Sequence, residues 1–302
     1  MSGPGLAVRD AGALIFAADM YGVQLDQLAV LVGGERAARA AAARWRSLGY
    51  AETARLGPGP AWLWVTKAGL AACGLTYTPA RPALSRLAHI RAVASARLAL
   101  ESTGGYRLAS AYWRCERRIR SRHGVGVRQH LPDAEVHWPD AVPDVAPAGW
   151  AGECWAVEAE LSPKTVARTV AIMREILART GDYGCPAAEA SVPGRPARHA
   201  RALYLCSAAA LPTVLRARAA LGPLAARVEV RDLPPGALLS ARAATAPPHG
   251  ARPTASITAR RASCCYLWAG RCAGGARLSA TPATGSGVCQ LRHRPPLSVS
   301  MG

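Results

Sequence analysis

Lysine is almost absent from this chain: of 37 basic side chains only Lys67 and Lys164 are lysines, and arginine carries the rest. Together with the abundance of alanine, this bias is a signature of GC-rich coding, so arginine content alone does not argue for nucleic acid. No run reaches the ~18 apolar residues that a membrane span needs. Arg9 and Asp10 precede only a short apolar run, unlike a secretory leader. The expectation is a cytoplasmic protein with no membrane partner. The nine cysteines form no CxxC pair, so their spacing indicates neither a zinc site nor a disulfide framework. Acidic residues stop altogether after Asp232.

What is present is a formal charge of +18, which argues for a polyanionic partner or a soluble basic protein. Its distribution is more telling than its size. Residues 82–130 carry ten basic and two acidic side chains, whereas residues 131–233 carry eleven and twelve. An acidic region flanked by a basic one suits a phosphodiester ligand. A length of 302 residues allows one large domain or two ordinary ones.

The acidic region is organised around HLPDAEVHW (130–138) and CWAVEAELSPKT (154–165). Read with a period of two, Ala134, Val136 and Trp138 share one face of a strand, and Asp133, Glu135 and His137 the other. In the second stretch Trp155, Val157, Ala159 and Leu161 oppose Glu158 and Glu160. Residues 139–152, rich in proline, glycine and aspartate, read as a long hairpin loop. If the strands are neighbours, four carboxylates share one face, and solvent, arginines or a divalent cation must offset their repulsion. Ser162 and Pro163 suit the N-cap and first position of a following helix, with Lys164 at its mouth and Val166, Val170, Met173 and Leu177 at helical spacing. The bland alternative is a solvated face of a half-exposed sheet.

Strand, loop, strand and helix with acids on the strands resemble the PD-(D/E)xK nuclease fold. Pro132-Asp133 matches the first half-motif, Glu158 the acid of the next strand, and Glu116 the extra helical glutamate some members carry. Glu160 stands where the motif has lysine, and Lys164 is the one lysine nearby. The resemblance implies a catalytic set of Asp133, Glu158, Glu160 and Lys164. In it Asp133 and Glu158 hold Mg²⁺ and the lysine positions water.

Upstream, Asp10–Tyr21 has Leu14, Ile15, Ala18 and Tyr21 along one helical side, and residues 25–32 form a short second helix ended by Gly33-Gly34. A third helix over 35–48 buries Ala38, Ala41, Trp45 and Leu48 and presents Arg36, Arg39 and Arg46, with Arg44 at the flank. Two strands, 50–55 and 61–66, then surround Gly57-Pro58-Gly59-Pro60. This order resembles a winged helix-turn-helix, which implies a recognition helix in the major groove and a wing on the backbone. Arg36, Arg39, Arg46 and Arg55 are the expected DNA contacts; dimerisation or packing on a neighbour is the alternative use of such a module. One pair of the alternating Trp62–Val65 strand is expected to face a domain interface.

After a linker at Pro79–Pro82, residues 85–101 read as a helix. SAYWRCERRIRSRHG reads as a second, basic helix with Arg114, Arg118 and Arg122 at i, i+4 and i+8, placed to grip nucleic-acid backbone or simply solvated. Residues 202–207 and 227–233 read as strands, 212–221 as helix and 181–199 as loop. The expected organisation is an α/β (α+β overall) protein: a winged helix-turn-helix at 9–78, a restriction-endonuclease-like α/β domain at 82–236, and a low-complexity, disordered tail at 237–302. The tail is either an out-of-frame reading or extension, or a basic arm on DNA.

The combination of WLWVTKAGL, LAHIRAV with RLALE, HLPDAEV, WAVEAELSPKT and ALYLC, over residues 9–236, is similar to the replication-relaxation family of plasmids and conjugative elements. This implies a protein that binds double-stranded plasmid DNA as an accessory of replication-relaxation or mobilisation, alone, as a homodimer or with other replication and mobilisation proteins. Two alternatives stand beside it: a Mg²⁺-dependent endonuclease, and a regulator that binds a protein through its acidic face.

Overall fold

A computed structural model of the chain describes residues 6–103, 111–123, 130–138, 152–180 and 197–238. The architecture is mixed α/β with two sheets. Helices α1 (Val8–Asp19), α2 (Leu25–Val32) and α3 (Glu35–Ser47) enclose a small sheet of β1 (Val23–Gln24), β2 (Ala51–Ala54) and β3 (Trp62–Val65), in the order β1-β3-β2. Leu14, Leu28, Trp45, Leu63 and Leu70 fill its centre. The third helix buries Ala38, Ala41, Ala42 and Trp45; Leu48, expected on that stripe, caps the helix and is exposed. All four residues of β3 are buried. Trp62 and Trp64 pack against Leu87 and Ile90 of the next long helix, α5 (Leu87–Ser102), so the second face of the strand is an internal interface. Between them, the short α4 (Lys67–Ala72) is capped by the Thr66 hydroxyl, which accepts from the Gly69 amide at 3.2 Å.

The larger sheet runs β4 (Tyr112–Cys115), β5 (Ala134–His137), β6 (Cys154–Glu160), β7 (Arg201–Cys206) and β8 (Val228–Asp232) in chain order. The first two pairings are antiparallel and the last two parallel. Parallel strands need crossovers, and α7 (Val166–Ala178) and α8 (Leu211–Ala219) supply them. Both helices lie over Ala156, Ala202, Tyr204 and Cys206, while α5 lies against β6.

The structure departs from three of the expectations. The basic run is not one helix: Tyr112–Cys115 pairs with β5 as a strand, and α6 (Glu116–His123) starts only at Glu116. Arg114 therefore lies in the sheet. The helix after β6 begins at Val166 and not at Pro163, because the Thr165 hydroxyl caps it by accepting from the Arg168 amide at 3.2 Å. The acidic strand is not half-exposed: Glu158 and Glu160 are buried, since helices cover the face that alternation assigned to solvent. The hairpin loop at 139–151, most of the loop at 181–199 and the tail at 239–302 lie outside the described residues. His199, at the end of the second of these, is fully buried.

Candidate functional site

The register of β5 and β6 decides which acids meet. Ala134 faces Val157 and Glu135 faces Ala156, and directly opposed residues of an antiparallel pair share a side. Asp133, at the bend entering β5, thus sits beside the end of β6 that carries Glu158 and Glu160. Its Oδ2 accepts from the Ala159 amide at 2.8 Å, one residue from Glu158, and Oδ1 lies 2.8 Å from His89 Nε2 on α5. Glu158 Oε1 lies 2.7 Å from His130 Nε2. The Lys164 ammonium donates to Glu160 Oε1. Asp133, Glu158, Glu160 and Lys164, separated by up to 31 positions in sequence, are gathered at one end of two strands.

Burial sets the electrostatics. Glu158 is 4% exposed, and its carboxyl is pushed up to about 7 by burial, with Asp133 and Glu160 adding repulsion against the relief from His130. Burial alone would lower His130; its bond to Glu158 and the charges of Glu158, Asp133 and Glu175 raise it instead. Tyr204, opposite Glu158 on β7, is fully buried with its hydroxyl unpartnered among the described residues. Burial, then the three acids, pushes that phenol well above its usual range. An orphaned hydroxyl beside three carboxylates is a site short of a hydrogen-bonding or electrophilic partner. Both Asp133 oxygens already have partners in His89 and the Ala159 amide, and Glu158 Oε1 has one in His130.

The fourth carboxylate belongs elsewhere. Glu135 shares the face but is claimed by Arg114 Nη1 (3.2 Å), Arg198 Nε (2.8 Å), His199 Nε2 (2.9 Å) and His137 Nε2 (3.3 Å). Burial opposes its ionisation, but the hydrogen bonds from His137, His199 and Arg198 and the Arg198 charge hold its carboxyl far below the usual range. Among the described residues, the three side chains spaced for a metal are Glu135, His137 and Cys154, not the expected acids.

Glu116 heads α6, where Arg86 (3.0 Å) and Arg120 (2.6 Å) occupy its carboxylate. Its amide donates to the Asp133 carbonyl at 2.9 Å. Glu116, Asp133 and His89 line a small open cleft with Arg86, Asp19 and Tyr21.

Of the arginines expected at DNA, Arg36, Arg39 and Arg46 are exposed on α3, and Arg55 just beyond β2. Arg39 pairs with Glu35 at 2.9 Å. Arg114 is buried and bound to Glu135, and Arg118 donates to the Tyr77 hydroxyl at 3.3 Å, so these two do not form an open basic face. The side chain of Arg122 lies outside the described residues. His89, His130 and Tyr204 carry no motif that marks them as part of the site. His130 stands three residues before Asp133, the one local signal among them; His89 and Tyr204 arrive from distant elements. No family model matches the chain, and neither a curated protein nor a solved structure does.

Proposed function

We propose that the chain is a double-stranded-DNA-binding accessory protein in the replication-relaxation or mobilisation of a plasmid-like element. In this reading α1–α3 with the β2–β3 hairpin act as a winged helix-turn-helix, and the five-stranded sheet is a PD-(D/E)xK nuclease-like domain. The observation that carries it is the contrast among arginines. Arg91, Arg97, Arg114 and Arg117 are drawn into ion pairs or carbonyl contacts. Arg36, Arg46 and Arg55 stand exposed on the third helix and the hairpin with no ion pair among the described residues. Charges left in water on one helix and its neighbouring wing suit a phosphate backbone. Duplex binding measured over a salt series tests this. Arg36→Ala and Arg46→Ala should each weaken binding and lower the slope of log K against log salt by about 1. Unchanged affinity and slope in both variants would remove the reading.

The Lys164–Glu160 contact favours a second reading, a Mg²⁺-dependent endonuclease. Asp133 and Glu158 would hold the ion, which when bound polarises a phosphodiester and acidifies water. Lys164 sets a cation at the rim of the site, His130 shares a proton with Glu158, and the Ala159 amide orients Asp133. Supercoiled DNA incubated with Mg²⁺ or Mn²⁺ should be nicked by the wild type and not by Asp133→Ala or Glu158→Ala. Absence of metal-dependent nicking by the wild type leaves binding alone.

A further inference from the structure

We propose that Glu135, His137 and Cys154 form a zinc site at the opposite end of β5 and β6 from the acids described above. His137 and Cys154 are register partners across the antiparallel pair, and Glu135 lies two residues back on the same face. One ligand atom from each of the three lies within 4.8 Å of the others. His137 Nε2 is 3.3 Å from Glu135 Oε2 and 3.7 Å from Cys154 Sγ. A tetrahedral zinc with bonds of about 2.0–2.3 Å places neighbouring ligand atoms about 3.3–3.8 Å apart. Both measured edges already have that length.

Glu135 already accepts from Arg114, Arg198 and His199, so the unresolved contact is that of the imidazole nitrogen with the thiol. His137 Nε2 faces both the carboxylate and the sulfur. A neutral imidazole nitrogen either donates or accepts, never both. If it donates to Glu135, it offers the thiol no acceptor; if it accepts from the thiol, its lone pair opposes that of the carboxylate. A cation between them satisfies all three at once. On binding, the thiol S–H bond breaks, an S–Zn bond forms, and the proton leaves to solvent.

The surroundings select the metal. Glu135 is oriented by Arg114, Arg198 and His199, as carboxylate ligands commonly are by their outer partners. The two guanidiniums also draw on its charge, which leaves imidazole and thiolate as the stronger donors. That favours zinc over Mg²⁺ or Ca²⁺. Tyr112 stacks on the His137 ring at 4.6 Å with 1° between planes, which fixes the imidazole orientation. His137 is 23% exposed, so an ion can enter from solvent. Three protein ligands leave a fourth position for water or substrate. The cysteine spacing carried no hint of this site, because its ligands come from two strands and only one of them is a cysteine.

The test uses the full chain, stripped with EDTA and titrated with Co²⁺ and then Zn²⁺. The wild type should develop thiolate-to-cobalt absorption that Zn²⁺ abolishes. Cys154→Ala should lose that band and take up about one molar equivalent of zinc less. His137→Gln should weaken binding at least tenfold while keeping the thiol. Other cysteines and histidines contribute equally to wild type and variants, so the difference isolates this site. Equal zinc uptake and equal cobalt spectra in the wild type and in either variant, when that variant has wild-type circular dichroism, would overturn the proposal.

Discussion

Glu135 and Glu158 are buried on the same side of one sheet, yet their environments drive them in opposite directions. Two arginines and two histidines surround Glu135, so its ionised form is the stable one. Glu158 has one histidine against two other acids, and its proton is held up to about 7. The pH consequences carry opposite signs. A depressed folded-state pKa stabilises above the unfolded value, near 4.5, and that contribution fades as pH falls below it. A raised one stabilises below about 4.5 and loses its contribution as pH climbs to about 7. In metal-free protein, urea midpoints measured from pH 4 to 8 should therefore fall between about 4.5 and 7 in the wild type. Glu158→Gln should flatten that fall and gain stability at pH 8. Glu135→Gln should lose about 3–5 kcal/mol at pH 7, because it leaves buried guanidiniums without their counter-charge. A Glu158→Gln variant that keeps the wild-type slope would show that this carboxylate is not the group responsible. Of these differences only the shared face was legible in the chain, by alternation. Arg198 and His199 are 63 and 64 positions from Glu135, and no local pattern signals such partners.

Elements were readable where one period dominates and hidden where two overlap. β5 and β6 alternate cleanly, and their pairing matches the expected neighbours. β4 was hidden because YWRC runs directly into ERRIRSRH, and arginines recurring every four residues suggest a helix across the junction. Pairing of Trp113 with Val136 overrides that pattern. Burial of both faces of β3 was legible only as a surplus of tryptophan; that α5 supplies the second cover is a tertiary fact. Gly69 in α4 shows how far an element depends on its neighbour. Alanine in place of glycine inside a helix ordinarily gains up to about 1 kcal/mol. Here a Cβ at position 69 would lie 2.1 Å from the Tyr50 carbonyl oxygen and 2.7 Å from Val65. The Tyr50 carbonyl is also the acceptor of the Thr66 amide, so it is not free to withdraw. Gly69→Ala should therefore destabilise, by about 1–3 kcal/mol, as read from the thermal midpoint. A stabilised variant would mean that α4 is free to move off β2.

At the scale of the whole molecule, the division expected at Pro79–Pro82 is crossed by buried polar contacts. Asp19 at the end of α1 accepts from Tyr77 (2.8 Å) and from Arg97 on α5 (3.0 Å). Arg117 on α6 reaches back to the Ala18 carbonyl at 2.6 Å. Arg91 on α5 joins several elements at once. Its guanidinium donates to both Asp26 oxygens (3.0 and 2.7 Å), to Gln24 and to the Gly236 carbonyl, while its own carbonyl accepts from Gln27. One side chain thus ties the start of α2, the centre of α5 and the chain beyond β8. No periodicity announces such a residue: Arg91 interrupts the apolar stripe of α5, where an arginine reads as solvated. Because these ties couple the two sheets, the described region should unfold in one transition. Arg91→Met keeps the aliphatic volume but removes the fork, leaving Asp26 to water and the buried Gln24 side-chain oxygen without that donor. The loss should be about 2–3 kcal/mol, the worth of charge-assisted bonds with one partner half in solvent. More specifically, the helices around Trp45 should then melt below the sheet that holds Trp155. Calorimetry should resolve two steps where the wild type shows one. If Arg91→Met melts in a single step at the wild-type midpoint, the two sheets are held together by apolar packing of Trp62, Trp64, Leu87 and Ile90, and the arginine network is incidental to their coupling.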